Sequence, residues 1–171
     1  IVAGGVAGGG VAGVGATIIV TDLNQRTEAS TSGATRLDAS GLTAIDASAA
    51  QDVAIVGFTG AGGGTAGVAG TVNVLVAKGQ TLAGIGAGSQ INTQLGGAQQ
   101  DVRVHAQDSL ETTDVLGTAG VGGVAGVGAG ADVQVVRSGA IASVGDGATV
   151  KAGRDITVEA ENSRDIDSVS I

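Results

Sequence analysis

Val11-Ala-Gly-Val-Gly-Ala16 returns as Thr65-Ala-Gly-Val-Ala-Gly70 and again as Val124-Ala-Gly-Val-Gly-Ala129. The offsets are 54 and then 59. A second family of segments repeats with the same offsets in the opposite order. Leu42-Thr-Ala-Ile-Asp-Ala47 precedes Asp101-Val-Arg-Val-His-Ala106 by 59, and that precedes Asp155-Ile-Thr-Val-Glu-Ala160 by 54. Thr81–Ile91 matches Ala140–Val150 at 59, and Gln51-Asp52-Val53 matches Arg164-Asp165-Ile166 at the sum, 113. A unit that recurs at a fixed spacing cannot bury its apolar face alone and stacks on its neighbours, which is the signature of a solenoid.

The period inside the unit is two. Ala12, Val14, Ala16, Ile18 and Val20 lie on one side of the first copy. Ala66, Val68, Gly70, Val72, Val74 and Val76 follow in the second, and Ala125, Val127, Ala129, Ala131, Val133 and Val135 in the third. The other side reads Gly13, Gly15, Thr17, then Gly67, Ala69, Thr71, Asn73, then Gly126, Gly128, Gly130, Asp132. Alternation of this kind is a strand with one buried face. The aliphatic rows are expected to face the core. The low-bulk positions Gly13, Gly15, Gly67, Ala69, Gly126, Gly128 and Gly130 then form an outward face for close approach of another sheet or protomer. On that reading Gly126→Phe disrupts bundling but not folding.

The expected fold is all-β, a parallel β-solenoid. If each unit holds three coils of roughly 18–20 residues, about nine coils at ~4.8 Å give a rod roughly 40 Å long. Turns are expected at Lys78-Gly79-Gln80, Arg137-Ser138-Gly139, Gly145-Asp146-Gly147 and Ala152-Gly153-Arg154, where Gly supplies positive φ. Residues 1–171 read as a single solenoid segment, with repeat units of about 11–64, 65–123 and a truncated 124–171. The chain holds no Met, and an excerpt of a longer array is expected.

Composition agrees with a thin core. There are 33 Gly, one Phe, and no Trp, Tyr, Cys, Met or Pro among 171 residues. The absence of Pro and of a Gly-X-Y period excludes collagen. A positive mean hydropathy and many β-branched residues argue against disorder. The net charge of −8 argues against nucleic acid, which requires a basic surface, and against anionic lipid. Three uncharged stretches, 1–21, 53–77 and 115–131, approach the length of a spanning helix. Their glycines each cost about 1 kcal/mol in a helix, and no basic or aromatic flanks mark their ends, so no membrane insertion is expected.

Candidate sites resolve to structural readings. Gly8-x-Gly10-x-x-Gly13 and Gly62-x-Gly64-x-x-Gly67 match a dinucleotide fingerprint, but each is expected to lead into a strand where the fingerprint requires a helix. His105 stands on an outward strand position with no nucleophile partner. Glu111, Asp114, Glu159, Glu161, Asp165 and Asp167 read as a solvated face, since no calcium-binding loop pattern is present. Phe58 is expected in the core or at a contact. No catalytic residue, cofactor or metal is expected.

Ala148-Thr-Val-Lys-Ala-Gly-Arg-Asp-Ile-Thr-Val-Glu-Ala160, preceded by Val144-Gly-Asp-Gly, resembles the repeats of filamentous haemagglutinin-type and leukotoxin-like giant bacterial adhesins. The glycine-rich stretch 60–70 is similar to their spacers. The resemblance implies a right-handed parallel β-helix, passage through an outer membrane, and service as an extended fibre. The expected function is therefore a structural rod segment of a secreted bacterial filamentous surface adhesin, extracellular and not enzymatic. Its partner is a second copy, by lateral or end-to-end association, with a host-surface or glycan ligand left open. A self-polymerising extracellular fibre subunit and a carbohydrate-active β-helix are the alternatives.

Overall fold

The computed structural model describes residues 1–94 and 98–171. In chain order the strands are β1 (Val2–Gly9), β2 (Ala12–Ser30), β3 (Arg36–Leu37), β4 (Leu42–Gly63) and β5 (Ala66–Ile85). They continue with β6 (Gln90–Ile91), β7 (Asp101–Gly122), β8 (Ala125–Val144), β9 (Thr149–Val150) and β10 (Ile156–Ser170). No helix occurs among the described residues. Every pairing is parallel, and each strand pairs with the one three places further along the chain. This gives sheets ordered β1-β4-β7-β10, β2-β5-β8 and β3-β6-β9. The chain is a parallel β-solenoid.

The coil is much larger than expected. Val14 pairs with Val68 and Val68 with Val127. Ile45 pairs with Val104 and Val104 with Val158. The spatial repeat is the sequence repeat: one whole unit makes one coil, where three shorter coils were expected. The expected turns at Lys78-Gly79-Gln80 and Arg137-Ser138-Gly139 lie inside β5 and β8. Gly79 lies in an extended strand and not at a turn. A Cβ there would stand 3.1 Å from the Gln51 amide and 3.3 Å from the Asp108 carboxylate. The turn at Gly145-Asp146-Gly147 and the bend at Gly153-Arg154 fall where expected, but of their glycines only Gly147 has the expected positive φ.

The two orders of offset have one cause. β3 leads to β4, and β9 to β10, through short connections, whereas the connection between β6 and β7 is longer. Segments that bracket this insertion are 59 apart and segments that do not are 54 apart. A connecting loop takes up such an insertion at little cost to the stack.

With 20 residues at ~3.3 Å each, β5 is about 66 Å long, while four strands at ~4.8 Å each span only about 19 Å. The body is a plank, wider across the coil than it is tall along the axis. Its cross-section is a wedge. At one edge the chain reverses from the first sheet into the second through Gly10-Val11, Gly64-Thr65 and Gly123-Val124. At the other edge the short β3-β6-β9 sheet forms a third wall. Inward positions of the second sheet widen accordingly: Gly67, Ala69, Thr71, Asn73, Leu75, and beyond them Ala83 and Ile85, all buried. Ile45, Ile85, Ile91, Val102 and Val104 fill the wide end. Ile19, Val53, Ile55, Leu75 and Leu110 fill the middle.

One corner recurs in every coil. Ala34, Gly88 and Gly147 occupy equivalent places and all have positive φ, +56°, +69° and +69°. Two of the three are the residue that tolerates this backbone, and Ala34 is strained by its Cβ. Ala34→Gly is expected to stabilise the chain by about 0.5–1 kcal/mol. An increase in the urea midpoint with an unchanged slope checks it.

Candidate functional site

The aliphatic rows stack as expected but point the other way. Val14 and Ile18 are each 72% exposed, Val68 45% and Val127 55%. The row expected outside points between the sheets, and in the first two copies Gly13, Gly67, Ala69, Thr71 and Asn73 are buried there. A Cβ on Gly67 would sit 2.4 Å from the Val121 carbonyl oxygen and 2.7 Å from that of Ala61. One on Gly13 would be 2.1 Å from Gly62 O, and one on Gly126 2.1 Å from Gly120 O. Gly15 faces Gly60 O at 2.8 Å, Gly128 faces the Thr118 hydroxyl at 2.7 Å, and Ala69 is buried. The candidate packing face is therefore turned inward: Gly13, Gly67 and Ala69 are buried between the sheets, while Gly126, Gly128 and Gly130, on the outermost strand β8, point the same way but are exposed. It lets the coil's own two sheets touch backbone to backbone, far closer than the ~10 Å of ordinary sheet packing. Gly126→Phe is accordingly expected to prevent folding of the edge, not to spare it. Apolar character alone misassigned the faces, because exposed aliphatic surface is common and only buried polar groups carry information.

What this leaves outside is an apolar sheet surface. On β2-β5-β8 the outward columns are Ala12–Ala66–Ala125, Val14–Val68–Val127, Ala16–Gly70–Ala129, Ile18–Val72–Ala131 and Val20–Val74–Val133. Those fifteen positions hold no polar side chain. The next columns, Asp22–Val76–Val135 and Asn24–Lys78–Arg137, begin the charged part of the plank. On the opposite outer face Val2, Val56, Val115 and Val169 form one column, and Phe58 stands between Gly4 and Gly117. Phe58, expected in the core or at a contact, is 48% exposed and its ring edge lies over Gly117.

The interior holds a polar cluster that the sequence did not announce. Asn73 and Asp114 are each 0% exposed and face one another from opposite sheets. Asn73 Nδ2 donates to Asp114 Oδ2 and to Asp132 Oδ1, both at 2.9 Å. Gln134 Nε2 donates to Asp114 Oδ2 at 2.7 Å and to Asp132 Oδ2 at 2.9 Å. Ser168 Oγ donates to Asp132 Oδ2 at 2.6 Å, and Thr112 Oγ1 to Gln134 Oε1 at 3.2 Å. Burial, and next the Asp132 charge, push the Asp114 carboxyl up to about 6. Burial pushes Asp132 up as well. Hydrogen bonds from Ser168, Gln134 and Asn73, with one from Asp114, outweigh it and hold Asp132 below its ordinary value. The two carboxyls thus divide into a proton holder and an anion. Asp114, expected on a solvated face, is placed inside by its strand parity, while Glu111 stands outside.

Compared with known protein families, curated proteins and solved structures, the chain matches none.

The remaining candidates are surface features. His105 pairs in register with Asp46 and Glu159 on the outer face of the first sheet. Asp52, Glu111 and Asp165 form an outward acidic column. No group of three or more His, Cys, Asp or Glu side chains able to hold a metal occurs among the described residues. The two dinucleotide-like glycine patterns run from strand through turn to strand, β1 into β2 and β4 into β5. Adjacent coils are tied at the surface by Arg103 to Asp46, at 2.6 and 3.1 Å, and by Arg154 to Asp101.

Proposed function

We propose that the chain is a structural segment of an extracellular filamentous bacterial surface protein, working by shape and surface rather than by catalysis. The observation that carries this reading is the residue-for-residue parallel register between successive units, maintained along the whole length of β4 against β7. Such a stack extends by adding units without changing its cross-section. The polar side chains that converge, Asn73, Asp114, Asp132 and Gln134, are engaged with one another between the sheets. The similarity of residues 144–160 to giant adhesin repeats agrees with an exported fibre. One whole unit advances the axis by only ~4.8 Å, which makes the rod an inefficient spacer but a broad presenter of faces.

Antibodies raised against the chain are expected to label the outside of intact cells that produce it, and external protease is expected to remove the label. A signal seen only after lysis would refute the reading. Turnover of polysaccharides in a glycan hydrolysis screen would replace it with the carbohydrate-active alternative.

A further inference from the structure

We infer that the outward face of β2-β5-β8, from the Ala12 column to the Val20 column, is a homotypic docking surface that takes the same face of a second copy of this chain. The inference rests on the fibre reading above and names its lateral partner.

Three observations select that occupant. The first is charge. The face carries no ionisable group in any of its fifteen positions, although the chain has a net charge of −8. Two like-charged copies can therefore meet here without bringing charges together, while the charged columns remain in water. The second is relief. The Val14–Val68–Val127 column is a ridge, and the Ala16–Gly70–Ala129 column beside it is a groove. A twofold axis between them seats each copy's ridge in the other's groove, the reciprocal contact of an isologous interface. A partner built on the same ~4.8 Å rung spacing meets the face side chain for side chain along the whole axis.

The third is area. The face measures about 30 Å by 14 Å, roughly 430 Å², the size of the largest apolar patch on an ordinary monomer, which is often a functional contact. Two such faces bury a little under the ~1,000 Å² that separates specific interfaces from incidental ones. Three rungs alone thus give a weak dimer. Each further rung adds about 145 Å² per partner, so the ~800 Å² of a standard interface needs about six. A bilayer is the less suitable occupant: no aromatic belt borders the face, Asp22 stands next to it, and the basic side chains Lys78 and Arg137 lie beyond one border only.

Sedimentation velocity of the chain from about 1 µM to about 1 mM, orders of magnitude suited to a weak interface, is expected to show a reversible monomer–dimer equilibrium. The triple variant Val14→Thr, Val68→Thr, Val127→Thr keeps β-branched strand formers but leaves unpaired hydroxyls in the interface. It is expected to weaken association roughly 100-fold with an unchanged circular dichroism spectrum. Should that variant fail to fold, the single change Ala131→Lys at an exposed position of the outer strand tests the same contact and is expected to abolish the dimer. Val56→Thr, on the opposite outer face, is expected to leave the dimer constant unchanged. A chain that stays monomeric to about 1 mM, or folded face variants that associate like the parent, would overturn the inference. So would flotation of the chain with phosphatidylcholine vesicles in preference to dimer formation. A strict monomer would leave the fibre reading standing, since that reading is tested by its exposure on cells.

Discussion

Gly67→Ala is expected to destabilise the chain by about 3 kcal/mol or more, whereas Gly70→Ala, a little further along the same strand, is expected to be neutral or to stabilise by about 0.5 kcal/mol. The contrast follows from parity. Gly67 points between the sheets, where its new Cβ would meet the Val121 and Ala61 carbonyl oxygens at 2.4 and 2.7 Å and the Val121 nitrogen at 2.8 Å. All three are backbone atoms of β4 and β7: Ala61 is laddered on both sides, to Ala7 and Gly120, and Val121 pairs with Gly62 of β4. They cannot move without parting the sheets. Gly70 points outward, and its Cβ would meet nothing nearer than the Ala129 carbonyl at 3.8 Å. Alanine there restricts the unfolded chain at no steric cost. Urea denaturation of the two variants beside the parent checks the pair. Equal effects at the two positions would show that the sheets do not touch at this edge.

The second large effect is a stability maximum on the acid side of neutrality. Asp114 has its pKa raised to about 6 from an ordinary 3.8. A raised carboxyl binds its proton more tightly in the folded than in the unfolded state, so stability grows as pH falls from above 6 to below about 4. The difference is about 3 kcal/mol. Below that range the sign reverses. Asp132 is held low by its hydrogen bonds once these outweigh burial. The bond from Arg26 lowers Glu28, that from Arg36 lowers Asp38, and that from Arg154 lowers Asp101. The stability these carboxylates contribute is present above their unfolded values and is lost as pH falls through their folded ones. The maximum therefore lies near pH 4–5. Asp114→Asn keeps an acceptor for Asn73 and Gln134 without a charge. It is expected to stabilise the chain at pH 8 by up to about 3 kcal/mol and to remove most of the slope between pH 4 and 7. Melting temperatures across pH 3–8 for both proteins check this. A parent more stable at pH 8 than at pH 5 would contradict the placement of Asp114.

Much of the architecture was legible because it is written as recurrence. The matches of Val11–Ala16, Thr65–Gly70 and Val124–Ala129, read as stacked rungs, gave the parallel register. Their alternation gave strands. The size of the coil was not legible, because a unit of this length divides into three short coils as readily as it forms one. Gly79 and Gly139 looked like corners but lie within β5 and β8. The polar cluster was illegible for a related reason. Asn73 and Asp132 are on the row expected to face water, so their alignment from one coil to the next carried no meaning until the row was inside.

The sequence by itself determined that the chain is a stack of parallel strands, with Val14 above Val68 above Val127, because a repeat that winds alike lays like on like. It determined the alternation of faces but not their direction. Hydrophobicity ranks a row as fit for burial without saying what volume is available to hold it. Only the tertiary structure decided that, by closing the two sheets so tightly at the Gly64-Thr65 edge that a Cβ does not fit at Gly67 and the valines are left outside.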